Sequence, residues 1–99
     1  MEKVKELSHL FIDTSAFVAL ADRSDSFHER ALSFSNGLSP SVRLVTSHFI
    51  FDETMTRIRS TLGVAIATRW GEELLSNPRY RMIWVDKRIC QKALEKMKK

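Results

Sequence analysis

The sequence predicts an α/β fold, a three-layer arrangement of helices around a short parallel sheet. Three observations carry that expectation. Three short, mainly apolar segments, residues 9–12, 42–46 and 82–85, have the length of buried strands. Consecutive segments are separated by stretches that hold two helices and are far too long for a hairpin, so the strands are expected to run parallel through right-handed crossovers. The apolar and charged fractions, 43% and 28%, are those of an ordinary globular chain, and 99 residues suffice for one small domain.

His9-Leu10-Phe11-Ile12 is the first strand, and Asp13-Thr14-Ser15 supplies helix-start residues for the apolar run from Ala16 to Ala21. Ser26-Phe27-His28-Glu29 has the form of a capping box, serine followed three residues later by glutamate. It is expected to open a second helix with Ala31, Leu32 and Phe34 as apolar positions, ended by Asn36-Gly37. After the second strand, Ser47 caps a helix over residues 48–62, which Gly63 breaks. Ala67, Trp70, Leu74 and Leu75 lie at helical spacing over residues 64–76, and Asn77-Pro78 ends that helix. Asp86 follows the third strand and caps a last helix carrying Ile89, Cys90, Ala93, Leu94 and Met97 on one face. Trp70 and Trp84 are expected in the core.

Composition narrows the function classes. A single cysteine, Cys90, excludes an internal disulfide and points to a reducing compartment. His9, His28 and His48 have no zinc-ligand spacing, and His28 is expected to pack or to bond locally in its helix. No run reaches the roughly 20 apolar residues of a membrane span, and the mixed charges of Met1 to Glu6 do not form a secretory signal. The cytoplasm is the expected location. Only Gly37, Gly63 and Gly71 are present, all isolated, so a glycine-rich phosphate loop on a flavodoxin-like sheet is disfavoured. Charge is uneven. Residues 1–53 carry five basic and eight acidic side chains, net −3; residues 54–99 carry eleven and four, net +7. An acidic half beside a basic half suits a metal cluster next to a phosphate-binding surface. A solvated lysine-rich final helix accounts for it equally well.

Asp13 is the sharpest chemical feature. It stands where a strand ends and a helix begins, the edge of an open α/β sheet where ligands bind. With the hydroxyls of Thr14 and Ser15 it offers the oxygen ligands that Mg²⁺ or Mn²⁺ prefer; simple helix capping explains it too. Glu53, on or beside the face of Phe49 and Ile50, is expected to point toward the same edge, or else to pair with Arg57 one turn on.

Leu10 to Phe17, then Ala19-Leu20, then Asp25 with His28 and Ala31, resemble the opening of a PIN domain. The similarity continues through Leu44-Val45-Thr46-Ser47, Asp52-Glu53-Thr54, Thr61 to Ala65, Val85-Asp86 and Lys92-Ala93-Leu94, nearly the whole chain. It is strongest to the VapC toxin type. The resemblance implies a metal-dependent ribonuclease, with acids at the C-terminal edge of the sheet holding Mg²⁺ or Mn²⁺. Asp13 matches the first acid, Glu53 the second, and Thr14 or Ser15 the hydroxyl near the metal. Arg57 and Arg59 are the arginines after Glu53 assigned to RNA contact, among several that suit phosphates.

The chain also departs from the family. The resemblance implies a sheet ordered 3-2-1-4-5, with further acids on a helix after the fourth strand, so residues 1–99 read as the N-terminal part of a single PIN-like domain, order 3-2-1 present and strands 4 and 5 absent. Asp86 would lie two strand spacings from Asp13, about 9.5 Å, too far to share an ion. Asp52 points about 100° away from Glu53, and Asp22 and Asp25 fall beyond the first helix. The chain alone is therefore expected to be a weak or inactive ribonuclease; the alternative is a non-catalytic remnant that self-associates or binds a partner. A homodimer through the exposed edge of the first strand and, by resemblance, a protein antitoxin are the expected partners besides RNA.

Overall fold

A computed structural model describes residues 8–98; the charged opening from Met1 to Glu6 and the terminal Lys99 lie outside the described residues. The chain runs β1 (His9–Phe11), α1 (Thr14–Ala21), α2 (His28–Asn36), β2 (Arg43–Ser47), α3 (His48–Leu62), α4 (Val64–Ser76), β3 (Tyr80–Ile83) and α5 (Lys87–Met97). The strands form one parallel sheet in the order β1-β2-β3, with Leu10 opposite Leu44 and Val45 opposite Arg81. This is the expected 3-2-1 arrangement viewed from its other edge. No helix among the described residues is long and apolar enough to cross a membrane.

Local chemistry sets most boundaries. Asp13, Ser47 and Asp86 each stand in extended backbone before a helix and accept a hydrogen bond from the N–H three residues on, that of Ala16, Ile50 and Ile89. Gly63, at φ 100°, ends α3 and starts α4, a left-handed conformation that glycine adopts without steric cost. The core forms where α1, α3 and α4 meet above the sheet. Phe17 is 2% exposed, sets its ring edge-on to Trp70 at 5.2 Å between centroids, and lies 5.8 Å from Tyr80. Thr54 and Ile58, one turn apart, are the buried residues of α3. Gly71 permits the close approach of α4 to α3, since a Cβ there would fall 2.8 Å from Met55 Sδ.

Three expectations are corrected. Ser26 does not cap α2. The helix starts later, Phe27 stands at its cap with no side-chain bond, and Asp25 takes the capping role by accepting from Phe27 N through its carboxylate and from His28 N through its carbonyl. The third strand is displaced toward the N-terminus. Arg79 donates to the carbonyls of Val42 and Ser39, and its own carbonyl accepts from Leu44 N, which fixes pairing from Tyr80 onward. Trp84 therefore falls beyond the strand, 69% exposed, stacked on His48 outside the core, while Trp70 packs against Phe17 and Phe51. The last helix, α5, forms where expected, and its apolar face is uncovered among the described residues: Ile89, Leu94 and Met97 are exposed. Periodicity creates such a face without specifying what packs on it.

Candidate metal and nucleic-acid site

The site begins where β1 ends. Ile12 is fixed to the central strand on both sides of its peptide: its N–H donates to Val45 O at 2.8 Å, and Thr46 Oγ1, fully buried, donates to Ile12 O at 3.1 Å. Asp13 follows, exposed, at the N-terminus of α1, where the helix dipole favours a negative charge. Its Oδ1 accepts from Ala16 N at 3.0 Å, leaving Oδ2 for another partner.

Thr14, 5% exposed, turns the other way and donates from Oγ1 to Glu53 Oε1 at 2.7 Å. This bond spans 39 residues of sequence and links the first turn of α1 to the second turn of α3. A hydroxyl donating to a carboxylate is a charge-assisted bond, shorter and stronger than a neutral one. Glu53 is thereby drawn to the residue next to Asp13; no ion pair joins it to Arg57 among the described residues. Asp13 and Glu53 thus sit at the same edge of the sheet, after adjacent strands, with Thr14 between them.

A groove of about 650 Å³ opens beside Asp13. Ser15 and Arg57 line it together with the α1–α2 loop and one face of α2. Arg59 instead lines a separate depression with Met55, Thr56 and Val64, because two residues along a helix turn the side chain by about 200°. The groove therefore brings together Asp13, Ser15 and Arg57; Glu53 meets Thr14, neither of which lines the groove, and Arg59 lies apart. Asp86 bonds to Ile89 N as the cap of α5.

Sequence reasoning missed the α2 side of the groove: Phe27, Arg30 and Phe34 line it with Ala31. Their spacing, i, i+3, i+4 and i+7, was a readable signal of a single helix face. That face is held by His28, whose Nδ1 donates to Ala19 O at 2.7 Å, a bond across to α1 and not one within its own helix. The turn before it is held by Ser24, which donates from Oγ and from N to Asp22 Oδ1; the side-chain bond first, then the backbone one, lower the Asp22 pKa below the usual carboxylate value.

The donors at Asp13, Thr14 and Glu53 are all oxygen, the chemistry of a Mg²⁺ or Mn²⁺ site that keeps several water ligands. Among the described residues, no group of three or more Asp, Glu, His or Cys is placed to hold a metal ion. Asp13 and Glu53 are oxygen donors of the type such an ion takes, and two carboxylates are fewer than the protein ligands of a dedicated cage.

A family model described as the PIN domain matches residues 10–99. Among solved structures, the chain is similar to the crystal structure of VapC20 from Mycobacterium tuberculosis, a toxin that cleaves the sarcin-ricin loop. The identity is 22% and the TM-score 0.76, over 90% of this chain and 66% of that one. At that identity the likeness concerns the fold, and this chain spans just under two thirds of the other's length. No curated protein matches the chain.

Proposed function

The chain belongs to the PIN domain family, and from that premise we propose that Asp13 and Glu53 are the first two acids of a Mg²⁺- or Mn²⁺-dependent ribonuclease centre. The observation that carries this reading is the Thr14–Glu53 hydrogen bond beside Asp13. When bound, the ion supplies charge neutralisation at an RNA phosphodiester and activation of a water. Asp13 and Glu53 would hold it, Thr14 orients Glu53, Ser15 offers a further hydroxyl at the groove, and Arg57 would neutralise a neighbouring phosphate. Two carboxylates give weak metal affinity, so the 99-residue chain by itself is a weak or inactive nuclease. The toxin-type role, in the cytoplasm with an antitoxin protein as partner, is part of the same proposal; its support is the similarity in fold to VapC20.

The test is calorimetric titration of the chain with Mn²⁺, alongside cleavage of an end-labelled RNA under protein excess with Mn²⁺ or with EDTA. Glu53→Gln is the matched control. Weak Mn²⁺ binding that Glu53→Gln removes, with slow cleavage that EDTA stops, is expected. Mn²⁺ binding unaltered by Glu53→Gln would sink the site. Rapid cleavage that depends on Glu53 would instead overturn the statement that this chain is weak. The lack of a third acid among the described residues favours one second reading, a non-catalytic module; in that case neither Mn²⁺ nor EDTA alters anything the chain does.

Self-association belongs to either reading. Among the described residues β1 is paired on one side only, and Phe11 on it is 55% exposed. An unpaired apolar edge is a template for a second chain. Sedimentation velocity is expected to give a concentration-dependent dimer that Phe11→Lys weakens; a monomer at all concentrations contradicts it.

A further inference from the structure

Helix α2 buries none of its residues. Phe27, at the cap of α2, and Phe34 on it are 57% and 60% exposed, and Phe34 also lines a smaller pocket with Phe11 of β1. Both lie on the α2 face that forms one wall of the groove beside Asp13. Arg30 lies between them on that face, its guanidinium 5.7 Å from the centre of the Phe27 ring, and Arg57 of α3 contributes to the same groove. The two carboxylates of the groove are each engaged by a backbone N–H, Asp13 by Ala16 and Asp25 by Phe27, whereas among the described residues neither arginine is joined to an acid.

We propose that this wall is the track for unpaired RNA leading to Asp13, with bases stacking on Phe27 and Phe34 and phosphates meeting Arg30 and Arg57. The proposal rests on the ribonuclease reading and deepens it. Alternating aromatic faces and guanidinium groups are what a single strand needs, because every base has a π face and every linkage a negative charge. A duplex hides its base faces and gains nothing from exposed phenylalanines. The wall also has an apolar floor, Ala16, Val18, Ala19 and Ala31, on which bases rest without loss of hydrogen bonds. His28 keeps the wall in place by its bond to α1.

The test is fluorescence anisotropy, in EDTA so that no cleavage intervenes, with a labelled oligouridylate of about ten nucleotides. A blunt RNA duplex of similar length and an octaglutamate peptide are the comparison probes. Phe27→Ala, Phe34→Ala and Arg30→Ala are each expected to weaken single-strand binding by about fivefold or more. Arg30→Ala is also expected to reduce the salt slope by about 0.7, while the phenylalanine variants leave the slope unchanged. Phe34→Leu, which keeps the apolar bulk, is expected to behave like Phe34→Ala. Arg69→Ala, an equal charge loss on α4, is expected to bind as the unaltered chain. The substituted side chains are exposed, so folding is not at issue. Binding that the three wall variants leave intact, equal affinity for the duplex, or tighter binding of octaglutamate than of RNA overturns the track. If the wall variants bind RNA normally while Mn²⁺ binding still depends on Glu53, the track falls and the metal site stands. If RNA binding follows the wall while Mn²⁺ binding ignores Glu53, the metal site falls and the track stands.

Discussion

Asp13→Asn is expected to weaken Mn²⁺ binding on the order of 100-fold, taking it below detection by calorimetry. Loss of a group that merely supports a metal ligand typically costs 10–100-fold, so loss of a ligand charge falls at or beyond the upper end. The substitution is chosen because it separates chemistry from folding. Asn caps a helix about as well as Asp, so the bond from Ala16 N to the side chain survives. The remaining structural change is the lost attraction between the carboxylate and the N-terminus of α1, about 0.3–1 kcal/mol at an exposed position. Thermal stability is therefore expected to stay near that of the unaltered chain while the metal is lost. Thr14→Val sets the scale from the other direction. It removes no ligand and frees Glu53 from its fixed orientation, so a loss of about tenfold is expected. Equal Mn²⁺ affinity for the unaltered chain and Asp13→Asn would show that Asp13 is a helix cap and nothing more.

Phe17→Ala is expected to destabilise the domain by about 3–5 kcal/mol, the usual cost of deleting a fully buried phenylalanine. Part of that cost is the edge-on contact with Trp70, a geometry worth about 0.5–1.5 kcal/mol beyond burial. Small domains are stable by roughly 5–15 kcal/mol. The melting temperature should therefore fall on the order of 15 °C, a shift that scanning calorimetry resolves. The chain's single tyrosine gives an independent readout. Burial raises the Tyr80 phenol above its ordinary value near 10, and Arg79 opposes this weakly. A raised folded-state pKa means that this contribution to stability is complete below pH 10 and is lost as pH rises through the folded value. Phe17 covers one side of the Tyr80 ring. Its removal lets water in, so the ultraviolet titration of Tyr80 should move back toward 10. A melting shift of only a few degrees would contradict the assignment of Phe17 as the centre of the core.

By itself the sequence determined what neighbouring residues decide among themselves. The limits of α3 and α4 follow from Ser47, Gly63 and Asn77, and the start of α5 from Asp86, since capping and left-handed turns act within a few residues. The parallel direction of the strands was legible for a related reason, because long helical connections imply crossovers, whereas the strand order was only what the family resemblance implied. Asp13 could be singled out from its place at a strand–helix junction. Tertiary structure alone decided which side chains meet. The Thr14–Glu53 bond, Arg57 at the groove with Arg59 away from it, Trp84 outside the core and the uncovered face of α5 all depend on groups distant in sequence. Periodicity fixes the direction of a side chain relative to its own helix. What stands opposite it is set by how the helices pack, and burial and hydrogen bonding are properties of that pairing.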